Sequence, residues 1–293
     1  MYVSKVRDRL LEVLRQHDTQ FTEAFLAHLV QAQENAEKAE RWPQVIEYAR
    51  SFAEELDRLG HWKTLSILLS RASAAAESSG RRDEKAWALN ARGNVAWPQG
   101  DYAAAHTYYQ DSLAIRKKLG DHSGIATCLN NLGSLAHWQG DYAAARKYYQ
   151  DSLAIRKELG DRSGIASTLN NLGAVAEYEG SGDLGAAEKY FGEARQLAAS
   201  LSASNDTLGK ALWGLGRVAA KRRKKGDARQ YVDQTIQIFQ LLGHSELQAA
   251  QQFRDSLGSA PDPVQCRKTC DDLQAKGELA ASVVECVKKL CAD

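Results

Sequence analysis

The chain has 293 residues, enough for two ordinary domains or one elongated repeat array. Its formal charge of +1 gives no bulk attraction to nucleic acid or to an anionic membrane. With only four Pro and many good helix formers (Ala, Leu, Gln, Glu, Arg, Lys), the composition favours helices over strands. No apolar run reaches the length that spans a bilayer, and the charges scattered through the first residues leave no room for a secretory apolar core. The expectation is an all-α, cytoplasmic protein with neither nucleic acid nor membrane as partner.

Residues 1–45 read as a helical lead-in. Beyond them Gly60, Gly80, Gly100, Gly120, Gly140, Gly160 and Gly180 fall at intervals of twenty, and the surrounding pattern repeats every forty. Residues 101–140 and 141–180 are identical at 29 of 40 aligned positions. A period of that length with a glycine at each half means two helices per unit, stacked as a solenoid. The first unit spans 46–80, with HWKTLSILLSRASAAAESSG as its second helix. In the second, Pro98 follows Trp97 and should break or kink the first helix there. In the third, 126–140 supplies the first helix, with Leu129, Leu132, Gly133 and Ala136 on one side. Gly140 and Asp141 make the turn. Tyr142, Ala145, Tyr149, Ser152 and Leu153 then line the buried side of the second helix, which stops at Gly160. Gly133 and Ala145 are small where two helix axes must approach closely. The fourth unit has two extra residues in Gly180-Ser181-Gly182-Asp183. The fifth, 208–243, keeps Leu215-Gly216 and Ala228 but has Arg223 where the turn glycine belongs. A capping helix over 245–257 closes an array of five units, 46–257, and 258–293 form a separate tail.

The order within each unit is a large residue, Leu-Gly, an aromatic or Ala, Gly-x-Tyr, then small residues in the second helix. It resembles the tetratricopeptide repeat, roughly over 46–257 and most strongly over 86–180. The forty-residue version has an Ile-Arg-Lys-x-Leu-Gly-Asp-x-Ser-Gly-Ile-Ala linker extending the second helix. That form looks like the repeats of kinesin light chain and spindle-orientation adaptors, and it is similar to the arrays of bacterial signal-transduction ATPases. The resemblance implies a right-handed superhelical solenoid of antiparallel helix pairs, with a concave face lined by the first helices and a peptide or protein segment as its ligand. Ligand-facing positions carried over one by one are Arg50, Glu54 and Arg58 in the first unit and Trp87, Asn90, Asn94 and Trp97 in the second. The third offers Asn130, Asn131, Ser134, His137 and Trp138; the fourth, Asn170, Asn171, Glu177 and Tyr178; the fifth, Trp213, Arg217 and Lys221.

Asn both donates to and accepts from a peptide backbone, so an Asn ladder can hold a segment without reading its sequence. Trp, Tyr and Arg are the side chains on which interface energy concentrates. The competing reading is that these Asn and Trp residues cap turns and pack between units. Basic residues at both ends, Arg50 and Arg58 against Arg217 and Lys221, fit a peptide with an apolar centre and acidic flanks.

Residues 221–225 form a basic run that reads either as a solvated turn or as a grip for phosphate or an acidic partner. In the tail, 260–263 read as a linker, with Asp262 as N-cap and Pro263 at the first helical position. Four of the five cysteines follow. An antiparallel helical hairpin would bring Cys270 opposite Cys286 and Cys266 opposite Cys291. This resembles twin-cysteine hairpins stapled by two disulfides, with the second spacing one residue longer. Free thiols and a four-cysteine zinc site are the alternatives, the latter lacking the usual two-residue ligand spacing. Cys128 reads as a small buried hydrophobe.

The sequence has no phosphate-binding Gly-rich loop with Lys, no Gly-x-Ser-x-Gly elbow and no His-Glu-x-x-His. The functional expectation is therefore a non-catalytic scaffold, without cofactor or metal, that binds a protein segment in its groove as an adaptor or regulatory subunit. A redox- or metal-responsive tail and self-association through the open ends of the solenoid are the alternatives.

Overall fold

The computed structural model describes residues 19–179, 182–201 and 206–258, among which there are twelve α-helices and no strand. Helix α1 (Thr19–Lys38) leads in. Five pairs follow: α2 (Trp42–Arg58) with α3 (Trp62–Ser78), α4 (Arg82–Ala96) with α5 (Tyr102–Leu119), α6 (His122–Trp138) with α7 (Tyr142–Leu159), α8 (Arg162–Tyr178) with α9 (Leu184–Ala199), and α10 (Asp206–Lys221) with α11 (Lys225–Leu242). Helix α12 (Leu247–Ser256) closes the series. The expected all-α architecture of paired helices is what is found. The helices fall into two compact units, one up to Asn171 and one from Leu172 onward.

In the first unit, α1 packs on α2 and α3 around Phe52, Leu56, Leu68 and Leu69, all fully buried. Gln33 is buried among them and donates to the carbonyls of Val45 (3.0 Å) and Leu68 (2.9 Å), fastening α1 to both neighbours. Within each later pair one contact recurs. A Cβ added to Gly93 would lie 2.4 Å from the Tyr109 ring, and one added to Gly133 would lie 2.7 Å from the Tyr149 ring. Only a glycine lets the first helix accept the aromatic side chain of the second.

A polar network ties each such pair to the next. Ser112 donates to the Ala86 carbonyl (2.7 Å), and Ser152 donates to that of Ala126 (2.8 Å). Arg156 donates to Ser152 (3.2 Å) and to Asp161 (2.7 Å), whose other oxygen caps the next helix at Gly164 N (2.9 Å). Arg116, Ser112, Asp121 and Gly124 repeat the arrangement forty residues earlier. This cap corrects one boundary expectation. The segment expected to extend the second helix is instead the first turn of the following one, so α6 starts at His122 and not at 126. Gly120 ends α5 in the left-handed conformation (φ 67°), and Asp121 restarts the chain as an N-cap.

Pro98 ends its helix, as expected: α4 stops at Ala96, and Trp97 is the C-cap. Arg223 takes the left-handed turn position of the fifth pair itself (φ 62°), a conformation that costs a non-glycine residue about 1–2 kcal/mol.

The second unit repeats the aromatic contact with Phe191, which would lie 2.8 Å from a Cβ on Gly173 and 2.4 Å from one on Gly214. Phe191 shares a core with Ala176, Ala187, Leu215 and Val218. Farther along, Trp213 meets Phe253 of α12 edge-on, with ring centroids 5.1 Å apart.

Opposite signs are expected for two glycine substitutions. Gly133→Ala should lower the unfolding free energy by roughly 1 kcal/mol net, because overpacking against Tyr149 outweighs the gain in helix propensity. Gly192→Ala, inside α9 with nothing within 4 Å of its added Cβ, should raise it by up to about 1 kcal/mol. Urea unfolding midpoints of the two variants check both signs.

Candidate functional site

In the first unit, the first helices place their polar side chains in register one repeat apart. Asn131 Nδ2 on α6 donates to Asn90 Oδ1 (3.1 Å) and Asn94 Oδ1 (3.3 Å) on α4. Asn171 Nδ2 on α8 donates in the same way to Asn130 Oδ1 on α6 (3.0 Å). The Asn ladder therefore bridges neighbouring first helices within the first unit. An amide has two donor hydrogens and two acceptor lone pairs, so Asn90 and Asn94, which use only Oδ1 in these bonds, keep Nδ2 donors for a ligand, and Asn131, which uses only Nδ2, keeps its Oδ1 acceptor. Asn94 is exposed and Asn130, Asn131 and Asn171 are half-buried, whereas Asn170 is buried.

The aromatic residues divide. Trp97 packs half-buried against the core around Ala105, Tyr109 and Leu113. Trp138 is 64% exposed while its indole N–H donates to the Tyr102 hydroxyl (2.8 Å). His137 meets the Tyr142 ring edge-on at 5.4 Å. Ser134 accepts from the Tyr149 hydroxyl (2.9 Å) and Asn94 from that of Tyr109 (2.9 Å). Burial pushes the Tyr149 phenol up to about 12, partly offset by the Ser134 hydrogen bond.

At the α2 end, Arg50 stacks over Trp87 (4.6 Å) and pairs with Glu84, while Arg58 pairs with Glu55. Both guanidinium groups are thus matched by carboxylates, which corrects the expectation of a basic groove end. Between α2 and α4 lies a depression of about 180 Å³ bordered by Glu54, Asp57, Trp87 and Asn94.

In the second unit, Glu177 has no exposed side-chain surface and is gripped by Arg217 (2.8 Å) and Lys221 (2.9 Å). Burial pushes its carboxyl upward, but the hydrogen bonds and charges of Arg217 and Lys221 outweigh this and hold it below the usual range. Arg217 also lies over the Trp213 ring (5.3 Å), and Lys221 over the Tyr178 ring (4.7 Å). The basic run is likewise engaged at its start: Lys221 binds Glu177, and Arg222 pairs with Glu188 (2.7 Å).

Cys128 is buried, and burial raises its thiol, which therefore stays protonated at neutral pH. Cys266, Cys270, Cys286 and Cys291 lie outside the described residues. Among the described residues no group of three His, Cys, Asp or Glu is placed to hold a metal, and no helix is long and apolar enough to cross a membrane.

Two family signatures, both described as tetratricopeptide repeat, match residues 86–122 and 124–199. Residues 86–199 are therefore built of tetratricopeptide repeats. No curated protein matches the sequence of this chain. Among solved structures, the repeat protein is similar to BtubC (BKLC) from P. vanneervenii, with 20% identity, TM-score 0.63, and coverage of 75% of this chain and 92% of that one. It is similar to aspartyl phosphate phosphatase F from Bacillus subtilis, with 14% identity, TM-score 0.66, and coverage of 93% and 79%. It is also similar to NprR in complex with its cognate peptide NprX, with 16% identity, TM-score 0.60, and coverage of 86% and 72%. At these identities the likeness is one of fold.

Sequence reasoning missed Asp57, Glu84 and Tyr109, which complete the geometry of the first-helix face of the repeat protein. The 16-residue offset from Gly93 to Tyr109, repeated from Gly133 to Tyr149, is the signal that could have found the tyrosine.

Glu177→Gln should destabilise the folded protein at pH 7 by less than the ~3–5 kcal/mol that breaking a fully buried pair costs, since Lys221 reaches solvent. The carboxyl is lowered in the folded state, so its contribution is present above the ordinary carboxylate pKa and is lost as pH falls through the folded value. Thermal melts of both proteins should therefore differ at pH 7 and converge on acidification below the usual carboxylate range.

Proposed function

We propose that this protein is a non-catalytic interaction scaffold whose first-helix face captures an extended segment of a partner protein or a peptide, as an adaptor or regulatory subunit. The observation that carries the reading is the Asn ladder of the first unit, Asn90 and Asn94 with Asn131 and Asn130 with Asn171, running beside the exposed Trp138. Amides already fixed by bonds to a neighbouring helix lose little further freedom when a peptide backbone joins them, which is preorganisation. A large aromatic surface beside them supplies apolar contact at low entropic cost. The similarity to NprR, solved with its peptide NprX, supports a peptide-like ligand. The phosphatase name of another similar structure belongs to that protein, and fold alone does not carry an activity across. What this chain offers on the face is amides, aromatic rings and paired ions, a chemistry suited to binding.

The test uses the intact chain as bait in an extract of its native source. Trp138→Ala combined with Asn131→Ala should reduce capture of the bound partner by roughly ten-fold, the size of a hot-spot loss. Lys118→Glu, on the exposed side of α5, should leave capture unchanged, and melting curves should show all three proteins folded. A partner retained by the double variant and lost by the α5 variant would move the binding face to the second helices.

A further inference from the structure

The depression between α2 and α4 combines apolar side chains with carboxylates. Its apolar walls are the half-buried Ala53, Trp87 and Ala91, lying over the buried Leu65, Leu69 and Val95. Its rim carries two carboxylates, Glu54 and Asp57, and among the described residues neither has a basic partner. The two nearby arginines on α2 are committed elsewhere: Arg50 to Glu84 and the face of Trp87, Arg58 to Glu55. Asp57 accepts the Trp62 indole N–H (3.2 Å), a neutral donor that leaves its charge uncompensated.

Size and charge together select the occupant. About 180 Å³ is below the roughly 300–1,000 Å³ of small-molecule pockets, which leaves room for a side chain. A purely apolar side chain would take water from two carboxylates and return nothing to them. An acidic one would be repelled. A Lys or Arg side chain satisfies both features: its methylene stem lies along the apolar walls while its cationic head meets the carboxylates at the rim.

We propose that the depression bordered by Glu54 and Asp57 is a specificity pocket for a basic side chain, Arg or Lys, of the peptide segment held by the first-helix face. This rests on the binding role proposed above and gives the partner a chemical signature at its α2 end. Glu54 and Asp57 set which segments bind, while the Asn ladder holds backbone.

The experiment pans a random-sequence peptide display library on the purified full chain, on Glu54→Gln/Asp57→Asn, and on Glu54→Lys/Asp57→Asn. Both positions are exposed and the first pair of changes is nearly isosteric, so the fold is preserved. On the native chain, selected peptides should share one position enriched in Arg or Lys. That enrichment should fall roughly ten-fold in the neutral variant, as expected for loss of charged hydrogen bonds, with the remaining consensus kept. In the Glu54→Lys variant it should turn to Asp or Glu. Peptides selected without a basic position, or a basic position unchanged by either variant, would overturn the pocket while leaving the binding face standing. Selection of no peptide by the native chain would overturn both.

Discussion

Three of the five helix pairs depend on one close approach: a glycine in the first helix against an aromatic ring of the second. Gly93 meets Tyr109, Gly133 meets Tyr149 and Gly173 meets Phe191. With a side chain at the glycine, the ring could not seat between the helices, and the apolar flanks of neither helix would be covered. The offset is 16 residues in the first two cases and 18 in the third, where the sequence carries two extra residues between α8 and α9. Chemistry follows the geometry. Each tyrosine hydroxyl has an acceptor one residue after the glycine, Asn94 or Ser134. Where the ring is Phe191 the matching position is Ala174, so no buried polar group is left without its counterpart.

That contact aims one side of each first helix outward, and under the proposed binding role the side chains there do two jobs. An amide that bridges neighbouring helices stiffens the array and is held in the orientation in which a ligand would meet it. The ion pairs behave in the same manner. Arg50 with Glu84 and Arg217 with Glu177 lie on the same kind of face as the aromatics they stack on, Trp87 and Trp213. Such pairs remove the net charge that a simple count of arginines would assign to the face. The uncompensated charge is instead acidic, at Glu54 and Asp57.

Most of the fold was legible because its signals are local and periodic. Glycine spacing placed the turns, Pro98 ended a helix where expected, and Arg223 stands in the left-handed position that its alignment with a glycine implied. The start of α6 was misplaced because Asp121 acts as a cap only once Gly120 has ended the preceding helix, and a continuous helix-forming composition hides that break. The face was half legible. Its residue types and spacing could be carried over from the repeat pattern, but partner choice could not. The separation of 41 residues in the Asn90–Asn131 and Asn130–Asn171 bridges, and of 40 in Arg217 with Glu177, arises from packing one unit on the next. No local pattern encodes which of two nearby carboxylates an arginine will choose.

The most direct measurement is covalent side-chain footprinting of the intact chain with and without its captured partner. Protection should concentrate at Trp138 and Trp87 on the first helices, with Tyr190 and Leu241 on the second helices labelled equally in both states. Unchanged labelling of Trp138 and Trp87 beside protection of the second-helix residues would contradict a binding role for the first-helix face.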